Sequence, residues 1–123
     1  LIRKIDDLGY SSVTMPDHVD DQLAPTVALM AAADASERLR IGALVWCNDY
    51  RHPVVFAKEA ATLDLLSDGR LELGIGAGWM VSDYEEAGMT YDRPGIRIER
   101  MVEAIDVLKG LFGDDAFFVM YIT

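Results

Sequence analysis

The sequence predicts an α/β fold built on a parallel sheet. Three short apolar segments read as strands, each is followed by a helical segment, and the strands recur at the roughly 30-residue interval of repeated strand–helix units. Parallel strands joined by helices take right-handed crossovers, and two architectures satisfy them: the doubly wound open sheet and the eight-stranded barrel. A complete barrel needs roughly 250 residues, whereas this chain has 123, so on the barrel reading it holds only part of one.

Each element has its own local justification. Residues 1–8 read as the end of an amphipathic helix with Leu1, Ile5 and Leu8 on one stripe, and Gly9 stands where a helix terminates. Residues 10–15 form a first strand ending at Pro16, and the polar loop Asp17-His18-Val19-Asp20-Asp21 follows. An alanine-rich segment over 24–35 has Val27, Met30 and Ala31 at helical spacing. Residues 40–46 are apolar nearly throughout, the mark of a strand buried on both faces. Pro53 suits the first turn of a helix over 53–66 with Phe56, Ala60 and Leu63 inward. After the turn Ser67-Asp68-Gly69-Arg70, residues 71–75 form the third strand. The acidic run Asp83-Tyr84-Glu85-Glu86 reads as a solvated helix start. Pro94 then opens the longest helix, with Ile98, Met101, Val102, Ile105, Leu108 and Leu111 inward.

Composition narrows the function. With 21 acidic against 11 basic residues the net charge is −10, which opposes sequence-independent binding to nucleic acid and to anionic lipid. Cys47 is the single cysteine, so no intrachain disulfide or cysteine zinc site is expected. Together with an opening segment that lacks the apolar stretch of a signal peptide, this sets the expectation of a reducing, cytoplasmic setting. His18 and Asp20 would need further ligands to hold a metal, and His52 is the only other histidine, so none is expected.

In parallel α/β folds ligands meet the residues just past the C-terminal ends of the strands. Here these are Met15-Pro16-Asp17-His18, Val45-Trp46-Cys47-Asn48-Asp49 and Gly74-Ile75-Gly76-Ala77-Gly78-Trp79. Asp17 beside His18 offers a proton-transfer pair, or merely a loop cap and an exposed imidazole. The glycines at 74, 76 and 78 fail the dinucleotide fingerprint, because Trp79 stands where a glycine is required. They still imply close backbone approach, either to a ligand or to a neighbouring strand. Trp46 and Trp79 could wall a flat aromatic ligand or belong to the core, and Cys47 reads as a small buried side chain.

Taken together, Ser12-Val13-Thr14-Met15-Pro16-Asp17-His18, Arg40-Ile41-Gly42-Ala43-Leu44-Val45 with Arg51-His52-Pro53, and the run from Ser67 through Trp79 resemble the bacterial luciferase-like monooxygenase superfamily. More narrowly they resemble its coenzyme F420-dependent oxidoreductase branch. The resemblance implies a partial (β/α)8 TIM barrel, about strands 2 to 4 with their helices. Residues 1–112 would be the N-terminal half of such a barrel and 113–123 a degenerate or truncated tail. It implies a flavin-type ring in the mouth of the barrel, coenzyme F420 or alternatively FMN, and hydride transfer to or from a small organic substrate. Asp17 and His18 are implied to face the ring, His18 as the polar catalytic group and Asp17 orienting it. Leu44 and Val45 match a bulge that in this family holds a non-prolyl cis peptide. Cys47, Gly76, Ala77, Gly78 and Ser82 fall at further cofactor-contacting positions. A half barrel leaves open edges, so a homodimer, or completion by another chain, is expected. A non-catalytic fragment that folds only on such pairing is the alternative.

Overall fold

The computed structural model describes residues 1–113, so the tail beyond 113 lies outside the described residues. In chain order the elements are α1 (Ile2–Asp7), β1 (Ser12–Met15), α2 (Pro25–Asp34), β2 (Arg40–Cys47), a single 3-10 turn (Asn48–Tyr50), α3 (Pro53–Leu66), β3 (Leu71–Gly76), α4 (Val81–Ala87) and α5 (Pro94–Phe112). The strands pair in parallel in the order β1-β2-β3. Among the described residues that order never reverses, unlike the order at the switch point of a doubly wound sheet. Proline opens α2, α3 and α5, where its missing N–H costs no helical hydrogen bond.

The core lies between the sheet and the helices. Val13 and Met15 of β1, Ile41 and Ala43 of β2, and Leu73 and Ile75 of β3 alternate toward it. They meet Leu29 of α2, Phe56 and Leu63 of α3, and Met101, Ile105 and Leu108 of α5. The opposite sheet face carries Thr14, Gly42, Leu44 and Glu72, with an ion pair from Arg40 Nε to Glu72 Oε1 at 2.6 Å. Leu44 is 53% exposed there, so β2 is not buried on both faces as its composition predicts. Alternation along the strand sets Leu44 on the same face as Gly42, away from the helices. The β2–β3 register shifts between Ala43 and Trp46, and the Leu44–Val45 peptide there is cis.

Helix phases differ from expectation in three places. In α2, Pro25, Leu29, Ala32 and Ala33 are buried while Val27 is 74% exposed and Ala31 faces outward. This helix is apolar almost all round, so spacing alone cannot choose its inner face. In α1, Leu1 and Leu8 are exposed and Ile2 packs on the core. In α5, Met101, Ile105 and Leu108 are inside as expected, but Val102 and Leu111 are outside and Arg97 and Ala104 take their place. Phe56, Ala60 and Leu63 of α3 lie inward as read.

The end of the sheet away from the site is tied by Arg70. Its guanidinium donates to the carbonyls of Ala33, Ser36, Leu39 and Ser67, closing the C-terminal ends of α2 and α3 over the start of β3. A cation suits carbonyls left open at helix ends.

Candidate functional site

The C-terminal ends of the three strands form a cleft of about 90 Å³ lined by Asp17, His18, Leu44, Val45, Cys47, Tyr50, Gly76, Gly78, Trp79, Met80 and Asp83. Seven of the residues expected to contact the cofactor therefore meet, Asp17, His18, Leu44, Val45, Cys47, Gly76 and Gly78, and Trp79 joins them. Ala77 is buried in the core beneath them, and Ser82 is exposed and outside the cleft lining.

Asp17 and His18 are adjacent in sequence and turn to different partners. The Asp17 carboxylate accepts the buried Cys47 N–H at 2.9 Å and a two-pronged contact from Arg51, at 2.6 and 3.1 Å. Arg51 in turn lies over the Phe56 ring at 5.5 Å. Asp17 thus fastens the end of β1 to the end of β2 and does not orient His18, contrary to expectation. The bidentate guanidinium–carboxylate pair and the Cys47 N–H fix the direction of the Asp17 carboxylate, while the His18 imidazole turns to Asp83.

The partner of His18 is Asp83. His18 Nδ1 stands 2.7 Å from Asp83 Oδ2, and the Tyr50 hydroxyl donates to the same oxygen at 2.5 Å. Asp83 is 1% exposed, so the acidic run 83–86 is not a wholly solvated helix start. On α4 Asp83 and Tyr84 face inward, Glu85 and Glu86 outward. Burial pushes the Asp83 carboxyl up, but hydrogen bonds from Tyr50 and His18, with the attraction of the imidazole and the Val19 N–H, outweigh it and hold the group below its usual range. Tyr50 is raised, first by burial and then by its bond to Asp83, and stays a neutral donor.

A second polar chain runs behind the cleft. Tyr84 donates to Asp49 at 2.9 Å, and Arg100 binds Asp49 at 2.8 and 3.1 Å and Asp92 at 2.6 Å. Cys47 Sγ lies 3.9 Å from the Tyr84 hydroxyl, and burial chiefly pushes the thiol up. A buried neutral thiol is a poor nucleophile.

The glycines answer to the protein's own packing. A Cβ on Gly76 would lie 2.5 Å from Val45 Cγ2, and one on Gly78, where φ is +80°, would lie 2.1 Å from the Tyr84 hydroxyl. One on Gly74 would lie 2.9 Å from the Ala43 carbonyl oxygen. Gly74 and Gly76 thus let β3 approach the β2 bulge, while Gly78 makes room for Tyr84 of α4. The tryptophans part company. Trp46 is buried against Phe56 at 5.4 Å, whereas Trp79 is 61% exposed at the rim with its ring edge-on to His18 at 6.0 Å.

Sequence reasoning missed Tyr50 and Asp83. The available signal was the position of Asp83 just past the third strand end, on the same turn as the inward Tyr84.

Comparison with known proteins places this architecture. The sequence model of the luciferase-like monooxygenase family matches residues 1–118, and the chain belongs to that family. The resemblance read from its motifs is thereby borne out. A 4-hydroxyprotoasukamycin monooxygenase from Streptomyces nodosus subsp. asukaensis is 31% identical over 119 residues, covering 94% of this chain and 31% of the relative. An F420-dependent glucose-6-phosphate dehydrogenase from Kribbella flavida is 32% identical over 117 residues, covering 89% of this chain and 35% of the relative. Among solved structures, an F420-dependent secondary alcohol dehydrogenase in complex with an F420-acetone adduct superposes with a TM-score of 0.81 at 24% identity, over 93% of this chain and 37% of that one. The FMN complex of the oxygenating constituent of 3,6-diketocamphane monooxygenase from Pseudomonas putida gives 0.77 at 21%, over 95% and 34%. These two establish likeness of fold. The chain spans about a third of the length of the relatives it matches. No helix among the described residues is long and apolar enough to cross a membrane.

Proposed function

We propose that this chain is the N-terminal segment, strands two to four, of a (β/α)8-barrel oxidoreductase. It would transfer hydride to or from a small organic substrate with coenzyme F420, FMN being the alternative cofactor. The observation that carries this reading is the cleft at the C-terminal ends of the three parallel strands, where His18, Leu44, Val45, Cys47, Gly76 and Gly78 meet.

The lining suits one face of a flat heterocycle. Leu44 and Val45 give it an apolar seat, Trp79 and Met80 a hydrophobic rim that excludes water, and His18 a polar group at its edge. Asp17 keeps the seat in place through the Cys47 N–H. The cofactor, when bound, would supply or accept the hydride, and the protein's share is to orient the ring and manage protons beside it. The cleft lining contains no lysine or arginine, so the phosphate-bearing tail would be held by other residues. At about 90 Å³ the cleft is also smaller than the roughly 300–1,000 Å³ of small-molecule sites. The remaining walls would come from further strands or from another chain.

Titration with F420 and with FMN, followed by tryptophan fluorescence, tests this. Quenching should report mainly on Trp79, so Trp79→Phe, which leaves the buried Trp46, should lose most of it. No quenching by either cofactor at tens of micromolar counts against the reading. The second reading, a non-catalytic fragment completed by a homodimer or a partner, is favoured by the half-exposed Leu44 and by the outer edges of β1 and β3, unpaired among the described residues. A stable monomer by light scattering would contradict it.

A further inference from the structure

We infer that Asp83 is a positioning residue that sets the tautomer of His18, keeping the proton on Nδ1 and presenting Nε2 as a bare hydrogen-bond acceptor at the cleft. The inference rests on the preceding reading only in taking the cleft as the site; its geometry stands apart from any cofactor. Asp83 is ionised and can only accept, so at 2.7 Å from its Oδ2 the His18 Nδ1 must be the donor. Tyr50 donates to that same oxygen at 2.5 Å, which leaves it unable to offer a proton to the imidazole. Nε2 has no partner among the described residues, and the His18 side chain is only 17% exposed. The edge contact with Trp79 further limits ring rotation.

The other titratable groups lining the cleft do not compete for His18. Asp17 is bound to Arg51 and to the Cys47 N–H, and the Cys47 thiol lies beside the Tyr84 hydroxyl. An orienting carboxylate on the far nitrogen of a histidine is a recurrent way to choose which nitrogen reacts. Here it is supplied from 65 residues away in sequence, not by the aspartate next door.

Nitrogen-detected NMR of the imidazoles in the full chain tests the assignment without any cofactor. The chain has two histidines, and His52→Gln identifies the His18 signals. The expected result for the neutral imidazole is a protonated Nδ1 and an unprotonated Nε2. Asp83→Ala removes the oxygen that His18 Nδ1 and the Tyr50 hydroxyl share, so the proton should shift toward Nε2, the form a neutral imidazole favours without a partner. A wild-type His18 that carries its proton on Nε2, or averages between the two forms, overturns the inference. So does an Asp83→Ala chain that folds and keeps the proton on Nδ1. If Asp83→Ala does not fold, the wild-type spectrum decides alone. Failure of F420 or FMN to bind would leave these signals unchanged, so the two ideas fail separately.

Discussion

Asp17 accepts from Arg51 and from the Cys47 N–H, while the neighbouring His18 is held by Asp83. Asp17→Ala would strand the buried Cys47 N–H and leave Arg51 uncompensated. It should cost about 2–4 kcal/mol, read as a lower urea midpoint with little change in slope. For Asp83 the prediction is one of pH. Its folded pKa lies below the ordinary 3.8, so the unfolded chain binds the proton first. Its contribution is complete above that value and is lost as pH falls through the depressed folded pKa. Thermal melts of Asp83→Asn should accordingly show a flatter acid limb than the wild type. Tyr50 and Tyr84, both raised mainly by burial from the usual 10.0, give the opposite sign. The unfolded chain loses those protons first, so stability should fall as pH rises above about 10, visible as tyrosine ionisation coincident with unfolding.

At the scale of elements, the strands and the proline-opened helices were legible because apolar runs and Pro at the first helical turn are local signals. The inner faces of α1 and α2 were not, since a terminal helix and an alanine-rich helix lack the polar contrast that fixes a phase. Nor was the direction of the glycines. That Gly76 meets the β2 bulge and Gly78 makes room for α4 depends on Val45 and on Tyr84, which arrive from other elements. Gly76→Ala should cost about 1–3 kcal/mol by forcing Val45 from its place. Gly110, on α5 with open space about its Cα, should respond in the opposite way, Gly110→Ala stabilising by about 0.5–1 kcal/mol. Comparing the two variants by chemical denaturation separates a packed glycine from a merely permissive one. Arg70→Ala, which opens four carbonyl contacts at the far end of the sheet, should destabilise without altering the cleft.

At the scale of the whole molecule, the fold and the site diverge in what they reveal. The family was readable from short motifs because these encode the strand ends and the turn at Arg70, which the architecture needs. The site was legible only in part, because the chain spans about a third of its relatives' length and the described residues line only a small cleft at the ends of three strands. The charge of −10 adds a constraint of its own. An anionic cofactor must meet local donors against an unfavourable overall field, so its affinity should rise with moderate salt. The central claim is that the strand-end cleft seats a flavin-type ring. Mapping backbone amide shifts during titration with F420 and FMN tests it most directly. The account predicts changes confined to the ends of β1, β2 and β3, at His18, Leu44, Val45, Cys47, Gly76 and Gly78. Changes centred on Ser11, Arg40 and Arg70 at the opposite end of the sheet, or none with either cofactor, would contradict it.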